Sequence, residues 1–326
     1  MTAHGLDDQC AEALRDWSRC SGLAPQPDQP LGVALSAGAD STALLLAASR
    51  LWPGGVVALH VNHGMQVASE AFEEGAQRLG SSLGVPFRVE RLVVSVAPGQ
   101  SPEDAARRER YRALGRMAHA TGAMAVLLGH QADDQAETLM LALGRGAGLP
   151  GLAAMAPIFQ RDGTCFGRPF LSMRGDRLRA WLLAQGVSFV EDPSNQDLRF
   201  TRNRIRHVLM PAWEQSFPGF RETVARSARH AAEAQRLLTA LAEQDLREVG
   251  EPPAIAALQR LSRERQANVL RHWLRLRAGH GPSTAQLDAL LGVLAACRTR
   301  GHQIHLRVAG GWVRRDGGGL IWTPSV

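Results

Sequence analysis

Short apolar runs alternate with longer segments of helical spacing through the first half of the chain. Four of the apolar runs are predicted to be buried strands, at 31–35, 56–61, 87–94 and 124–128. The segments that follow them are predicted helices, at 41–51, 70–83, 102–120 and about 133–143. This alternation predicts an α/β fold in which a parallel sheet carries helices on both faces.

The pattern changes after residue 220, where helical spacing dominates. An Ala-, Arg- and Glu-rich segment predicts a helix over 221–249, and Glu251-Pro252-Pro253 ends it. Beyond this break we expect two helices and three short strands, at 255–277, 284–297, 302–308, 312–315 and 320–322. We therefore expect an N-terminal extension, an α/β domain, a helical linker and a smaller, mainly helical domain with short strands, at 1–25, 26–215, 216–250 and 251–326.

Polar segments follow three of the predicted strands directly, and they begin at Ser36, His60 and His130. The carboxyl ends of parallel strands meet at one edge of a sheet, where α/β proteins bind their ligands. These three segments are therefore expected to build a single site.

The first polar segment joins a strand to a helix and consists of small residues, namely Ser36, Ala37, Gly38, Ala39, Asp40 and Ser41. Small residues let the backbone approach an anion, and a helix N-terminus offers it free N–H groups. Asp40 suits a phosphate site only when a cation accompanies the phosphate, and Mg²⁺ binds in this way. An ordinary strand–helix turn is the competing interpretation.

The second polar segment covers residues 60–64. Alternation along a strand places His60 and Asn62 on one side, and His63 follows them. A lone histidine is usually structural, but two histidines and an asparagine at a strand exit favour a place in the site. The segment carries too few ligands to predict a metal centre.

The third polar segment, 129–138, is the most distinctive. It contains His130, Asp133, Asp134 and Glu137, and the acids at 134 and 137 share a helical face. Helix capping explains the first two acids, because carboxylates are favourable in the first turn, but it leaves Glu137 unexplained. A glycine-rich basic loop that begins at Arg145 follows the helix.

Charge is distributed unevenly. Residues 1–100 hold 6 arginines against 10 acids, whereas residues 101–326 hold 31 against 21. A basic downstream part is typical of a protein that binds a polyanion, and a solvated Arg-rich surface is the alternative. All 37 basic residues are arginine, so chemistry that needs a lysine side chain of the protein, such as a Walker-type site, is excluded.

The four cysteines lie far apart in the sequence, at Cys10, Cys20, Cys165 and Cys297. Because no two of them form a C-x-x-C pair, a structural zinc, an iron–sulfur cluster and a dithiol redox site are not expected. Reduced thiols, the lack of a signal peptide and the lack of a long apolar run together predict a cytoplasmic protein without a membrane span.

Several of these segments match the motifs of one enzyme family. The chain contains G-H-x-x-D-D-Q-x-E-T at 129–138, R-G-x-G-x-x-G-L at 145–152, E-x-x-A-R-x-x-R-Y at 103–111 and E-D-P-S-N-x-D-x-x-F-x-R-N-x-I-R at 191–206. The loop at 36–41 resembles the S-G-G-x-D-S loop of the ATP-pyrophosphatase (PP-loop) group, with Ala37 where that group usually has glycine. Over 31–211 the chain therefore resembles the tRNA(Ile)-lysidine synthetases. Many longer members carry a further C-terminal domain, which this sequence does not show.

The resemblance implies the reaction. ATP would adenylate O2 of the cytidine at the first anticodon position of tRNA(Ile) with a CAU anticodon and release pyrophosphate. Free L-lysine would then displace AMP at C2 and leave lysidine, which changes codon and amino-acid specificity. The domain at 26–215 would be the catalytic, ATP-binding one, and the domain at 251–326 would bind the tRNA.

The resemblance also implies roles for individual residues. Residues 36–41, His60 and Asn62 would bind the nucleotide, with Asp40 and Asp134 as Mg²⁺ contacts. Arg107 and Arg110 would offset charge on the α-phosphate. His130, Asp134 and Glu137 complete the predicted catalytic set, in which the two acids serve either the ammonium group of lysine or the magnesium. Further substrate contacts are expected from Arg145, Arg202, Asn203, Arg206, Arg314 and Arg315.

Two other interpretations compete with this one. A PP-loop tRNA thiolase would share the phosphate loop, but such enzymes rely on cysteines that this chain does not pair. A non-catalytic RNA-binding protein would use the basic half and would not need an acid cluster beside a phosphate loop. The sequence leaves the oligomeric state open, and a homodimer is one arrangement that it permits.

Overall fold

The computed structural model describes residues 3–62, 69–92, 102–299 and 301–325. The chain forms two compact units, Met1–Arg229 and His230–Val326. Ser101, the residue expected to cap the helix predicted over 102–120, lies outside the described residues. So do His63, Gly64 and the last part of the strand predicted to reach residue 94. In the described part of the chain, no helix is both long and apolar enough to cross a lipid bilayer.

The first unit is an α/β structure. Its strands are β1 (Leu31–Ala34), β2 (Val56–Asn62), β3 (Phe87–Arg91), β4 (Ala125–Leu127), β5 (Ile158–Arg161) and β6 (Thr164–Gly167). Its main helices are α1 (Ala3–Ser21), α2 (Ala39–Leu51), α3 (Ser69–Ser82), α4 (Pro102–Ala120), α5 (Ala132–Gly144), α6 (Leu149–Leu152), α7 (Gly175–Ala184), α8 (Thr201–Arg204) and α9 (Met210–Ser216). A 3₁₀ turn at Pro193–Gln196 and a π-helical turn at Ile205–Leu209 complete it.

The six strands form one sheet in the order β3-β2-β1-β4-β6-β5. All neighbours are parallel except β5 and β6, which form an antiparallel hairpin at the sheet edge. The predicted parallel α/β sheet is confirmed. The hairpin was not predicted, although its two-residue turn, Asp162-Gly163, is a strong hairpin signal; both residues have positive φ, 48° and 77°.

Helices cover both faces of this sheet, because successive strand residues point to opposite sides. In β2, Val56 and Ala58 belong to one apolar core, whereas Val57 and Leu59 belong to the other. The first core also takes up Leu14 of α1, so this helix is packed on the sheet unit although the sequence suggested an extension there. The parallel arrangement leaves the carboxyl ends of β1, β2 and β4 together at one edge.

The second unit has its own apolar core. Its elements are most of α10 (Phe220–Val249), followed by α11 (Ile255–Leu258), α12 (Arg263–Ala278), α13 (Thr284–Ala296), β7 (His305–Val308), β8 (Gly311–Asp316) and β9 (Gly319–Pro324). The helix predicted over 255–277 is wrong in one respect, since it is two helices. Ser262 interrupts it by adopting an extended backbone and capping α12 through the N–H of Arg265.

Candidate active site

The phosphate loop lies between β1 and α2 and is held by its own serines. The Ser41 hydroxyl accepts a hydrogen bond from the Ser36 N–H at 3.1 Å and donates to the Gly38 carbonyl at 3.1 Å. The Ser36 and Ser41 hydroxyls are also 3.0 Å apart. These bonds curl the backbone around the N-terminus of α2, whose free N–H groups favour an anion.

Ala37 adopts a left-handed backbone with φ of 64°. An L-residue at such a φ costs about 1–2 kcal/mol, which glycine avoids. Ala37 is nevertheless buried, and its carbonyl accepts a hydrogen bond from the Val190 N–H at 2.9 Å. The loop therefore keeps the conformation that glycine favours at this position, and the buried methyl group offsets part of the strain.

Gly129 brings the third polar segment against the phosphate loop. A Cβ at this position would lie 2.9 Å from the carbonyl carbon of Asp40 and 2.9 Å from the Ser41 nitrogen. Any side chain here would push β4 and its following segment away from α2. Glycine at 129 thus explains how His130 and the acids of α5 come close to the loop.

Asp40 stands in the first turn of α2 among other acids. Burial, together with the nearby carboxylates Asp134 and Asp133, raises the pKa of Asp40 to about 7, although Arg179 and Arg206 act in the opposite direction. A carboxyl group in this setting gains from a cation that would compensate its charge. The donor set therefore fits a cation that is shared with phosphate oxygens.

Glu137 is fully buried and is bound by two arginines. Its carboxylate accepts hydrogen bonds from Nε of Arg202 and Nε of Arg206, each at 2.5 Å. The second guanidinium nitrogens of the same arginines lie 3.2 Å and 3.4 Å from Oδ1 of Asp134. Four charged side chains thus join α5 to the segment 201–209.

The N-terminus of α5 is capped and cross-linked. The Gln131 side chain accepts from the Asp133 N–H at 2.6 Å, and Asp134 accepts from the Gln131 N–H at 3.1 Å. The Asp133 carboxylate accepts from the Gly175 N–H at 3.1 Å and binds Arg221. The capping alternative is therefore correct for Asp134, which completes a capping box with Gln131, but not for Asp133, whose carboxylate binds Gly175 and Arg221 instead.

A cleft of about 370 Å³ connects these groups in the first unit. Its walls include Asp40 from α2, Asp133 from α5, and Arg206 and His207 from the π-helical turn. Further lining residues are Gln131, Gly175, Asp176, Arg179, Glu191, Asp192, Asn195, Gln196, Met210 and Arg221. The cleft therefore brings the phosphate loop, the acid cluster and the segment at 191–206 to one place.

His130 is held neutral. Burial, with the positive charges of Arg168, Arg107, Arg202 and Arg110, lowers its pKa to about 3. Arg168 donates from Nε to Nδ1 of His130 at 3.3 Å, so this nitrogen carries no proton. Arg107 and Arg110 are exposed on α4 and close enough to act on His130 electrostatically.

The second polar segment contacts the residue that precedes the phosphate loop. Nδ1 of His60 donates to the carbonyl of Leu35 at 2.7 Å, one residue before the phosphate loop. Burial lowers the pKa of this histidine. Asn62 is also buried, and its Nδ2 donates to Glu73 of α3 at 2.7 Å.

Five predicted substrate residues do not line the cleft, and one of them, Arg202, binds Glu137 and Asp134 instead. Arg145 is exposed at the end of α5. Asn203 donates from Nδ2 to the carbonyls of Ser194 and Asp197, at 2.8 and 2.9 Å. Arg314 and Arg315 belong to β8 of the second unit.

The structure also brings three arginines to the site that the sequence did not single out. Arg168 contacts His130, Arg179 acts on Asp40, and Arg221 binds Asp133. Arg168 and Arg179 lie outside the recognised motifs, and Arg221 is 88 residues from its partner in the sequence. Because they belong to no sequence motif, the sequence did not mark them as site residues.

Comparison with known proteins agrees with this geometry. Residues 9–213 match the family model of the PP-loop domain. Together with the serine-stabilised loop and the cleft, this match defines an ATP-using PP-loop protein. Residues 254–321 match a second family model, the TilS substrate binding domain. The chain belongs to the tRNA(Ile)-lysidine synthase family.

Relatives of this family align with nearly the whole chain. A tRNA(Ile)-lysidine synthase from Polaromonas naphthalenivorans is 56% identical, with 91% of this chain and 90% of that protein covered. One from Bordetella parapertussis is 39% identical, with 99% and 98% covered. One from Burkholderia pseudomallei is 40% identical, with 91% of this chain but 62% of that protein covered.

A solved structure shares the fold at low identity. The U34-tRNA thiolase NcsA from Methanococcus maripaludis matches with a TM-score of 0.59 and 16% identity, over 71% of this chain and 80% of that one. This likeness extends to the α/β architecture alone.

Proposed function

We propose that this protein ligates free lysine to C2 of the cytidine at the first anticodon position of tRNA(Ile), using ATP and forming lysidine. The observation that carries the proposal is the union, in one chain, of a PP-loop domain and a TilS substrate binding domain, with 56% identity to a tRNA(Ile)-lysidine synthase. The reaction releases pyrophosphate when O2 of the cytidine attacks the α-phosphate, and AMP when the lysine amine attacks C2.

In this proposal the loop from Ser36 to Ser41 binds the phosphates of ATP. The N-terminus of α2 supplies N–H donors and a favourable dipole, and Ser36 and Ser41 add hydroxyl groups. His60 holds the carbonyl of Leu35, and we propose that it positions the loop through this contact. Asn62 donates to Glu73 of α3, and we propose that it supports the end of β2 through this contact.

Magnesium is the cation that we assign to Asp40. Its carboxyl group has a raised pKa beside Asp134 and Asp133, which is the setting where a divalent cation stabilises the charged form. When bound, magnesium neutralises the phosphate oxygens that leave as pyrophosphate. We propose Asp134 as a second contact, because Mg²⁺ binds to one or two carboxylates and Asp134 already acts on Asp40. Magnesium would take over Oδ1 of Asp134 from Arg202 and Arg206.

Glu137 is proposed as a positioning residue. Since both of its oxygens are bound by Arg202 and Arg206, it directs these guanidinium groups instead of offering a free anion. Arg206 then faces the cleft, where it can offset negative charge on the nucleotide. Arg107 and Arg110 are proposed to act on the α-phosphate from α4.

The lysine ammonium groups require anions, and the cleft supplies several carboxylates. Asp133, Asp176, Glu191 and Asp192 line it. The first three are paired with arginines, whereas Asp192 has no ion pair within the described residues, so it is the carboxylate that we propose for the ammonium group. Neutral His130 is suited to hydrogen bonding with uncharged groups of the cytidine or the amine. Its low pKa keeps the ring uncharged, so it does not compete with the lysine ammonium group for the carboxylates.

The thiolase alternative is disfavoured by the position of the thiols. Cys10 and Cys297 are buried and belong to different units. Cys165 lies on β6, where burial raises the pKa of its thiol, so that the reactive thiolate is disfavoured.

The decisive experiment follows both reaction halves. The purified protein is incubated with a tRNA(Ile) transcript that carries a CAU anticodon, ATP, magnesium and radiolabelled lysine. We expect pyrophosphate release and one lysine per tRNA. A transcript with uridine at the first anticodon position is the control, and norleucine in place of lysine should give no product.

The outcomes separate the alternatives. Sulfur incorporation from a sulfur donor would identify a thiolase. Binding of the transcript without any pyrophosphate release would indicate a non-catalytic RNA-binding protein. Equal use of norleucine and lysine would contradict a carboxylate-lined lysine site.

A further inference from the structure

The sheet of the second unit has one face that does not pack on the apolar core. Leu306 and Val308 of β7, Val313 of β8, and Leu320 and Trp322 of β9 point to the core side. Because side chains alternate along a strand, the residues between them must point to the opposite side. That side is the outer sheet face.

The strand register defines which side chains share this face. Arg314 of β8 lies opposite His305 of β7 and opposite Ile321 of β9. Trp312 lies opposite Arg307 and opposite Thr323. Directly opposed residues of antiparallel strands point to the same side. The outer sheet face therefore carries His305, Arg307, Trp312, Arg314, Ile321 and Thr323, with Asp316 at its end.

Its two arginines are available to a ligand. Arg307 and Arg314 are exposed, and within the described residues neither forms an ion pair or a side-chain hydrogen bond. Arg315 differs, since it donates to the carbonyls of Gly317, Thr299 and His302. Asp316, the last residue of β8, lies on the same side as Arg314 and places one negative charge at the end of the face.

Aromatic rings lie between these cations. The His305 and Trp312 rings are 4.5 Å apart, centroid to centroid, and tilted by 41°. Trp312 is half-buried, whereas Trp273 is buried in the core. An accessible indole between two guanidinium groups offers stacking for a base and charge for its phosphates, the combination that binds unpaired nucleotides.

We propose that the outer sheet face binds unpaired nucleotides of the tRNA, with Trp312 stacking on a base and Arg307 and Arg314 holding the flanking phosphates. The proposal rests on the proposed function for its choice of tRNA as the ligand. It also revises the role expected for Arg315, which supports the sheet from its inner side while Arg307 takes its place in binding. An acidic protein as the ligand would contact Arg307 and Arg314 but would have no base to stack on Trp312.

The first test measures tRNA binding by the full chain at several salt concentrations. The double variant Arg307→Gln/Arg314→Gln is compared with Arg260→Gln/Arg275→Gln, which removes two exposed arginines of the same unit, one from the turn after α11 and one from α12. Loss of two phosphate contacts should lower the salt slope by about 2 and the affinity by roughly tenfold at low salt. The control should match the wild type. Equal affinity and slope in the two double variants would overturn the proposal.

The second test separates stacking from charge. Trp312→Leu keeps an apolar side chain and both arginines. It should weaken tRNA binding by about five- to 100-fold, as expected when one stacked base is lost. Binding to heparin, a polyanion without bases, should not change. Equal losses for tRNA and heparin would contradict base stacking, and circular dichroism of each variant excludes an effect of misfolding.

ATP binding distinguishes this proposal from the proposed function. Because ATP is proposed to bind in the first unit, variants of the outer sheet face should bind ATP as the wild type does. If the wild type bound tRNA through this face but formed no lysidine, the proposed function would be wrong while the face assignment stood. If it formed lysidine and the double variant bound tRNA normally, only the face assignment would be wrong.

Discussion

Replacing Glu137 by glutamine tests the charged cluster that joins α5 to the segment 201–209. The side chain has no solvent exposure, and each of its oxygens accepts a hydrogen bond from an arginine Nε. Glutamine keeps one acceptor oxygen, but its NH₂ group would face the second Nε–H. One charge-assisted hydrogen bond is therefore lost and two donors are opposed.

The size of the effect follows from these contacts. A hydrogen bond to a charged group is worth about 1.5–3 kcal/mol, and a buried ion pair that loses one partner costs about 3–5 kcal/mol. Arg202 and Arg206 are 38% and 34% exposed, so water replaces part of what they lose. We expect Glu137→Gln to lower the free energy of unfolding by about 2–3 kcal/mol.

Urea denaturation followed by circular dichroism measures this change, with the slope against urea checked for constancy. Glu74→Gln is the matched control, because Glu74 and Arg78 form a pair in which both side chains are about 70% exposed. Such a pair contributes well under about 1 kcal/mol. A Glu137→Gln protein within about 0.5 kcal/mol of the control would refute the view that this cluster fastens the site.

Three further predictions concern other parts of the two units. Asp40→Asn should reduce pyrophosphate release at least about 100-fold by removing the proposed magnesium contact. Because the pKa of Asp40 is raised to about 7, the wild type should lose stability as pH rises from about 4 to 7. Thermal unfolding without nucleotide should show less of this loss in the variant. Gly129→Ala should destabilise the first unit by about 1–3 kcal/mol and weaken ATP binding, since its Cβ would overlap the backbone of Asp40; an unchanged melting temperature and ATP affinity would contradict this. Arg315→Gln should lower the melting temperature by removing hydrogen bonds to three carbonyls, whereas Arg314→Gln should leave it unchanged, and the reverse order would contradict the assigned faces.

The order of strands and helices in the first unit could be predicted because its signals are local. Apolar runs such as 124–128 are short, and glycine or polar residues bound them. The hairpin of β5 and β6 was missed because Gln160 and Arg161 interrupt its apolar pattern, and its Asp162-Gly163 turn carried the information instead. The single helix expected over 255–277 was wrong because Ser262 is a modest helix residue but a good cap.

The site was predicted as a set of segments, but the sequence could not pair their side chains. Proximity of the phosphate loop to α5 follows from parallel strands that end at one edge. The binding of Glu137 by Arg202 and Arg206 spans 65 and 69 residues and depends on how the segment 201–209 folds back. Asn203 matched the same motif as these arginines, yet it bonds to backbone carbonyls of its own loop.

The long sequence separations within the cleft also determine when the site forms during synthesis. Asp40 leaves the ribosome early, but its helix packs against Gly129, and the cleft is completed by Arg206 and Arg221. At about 5–20 residues per second, roughly 10–40 s separate the synthesis of Asp40 and Arg221. Between the synthesis of residues 144 and 202, α5 carries Glu137 without its arginines. We therefore expect α5 to reach its buried position only after residue 206 has emerged, so that a stalled shorter nascent chain exposes this helix to chaperones and proteases.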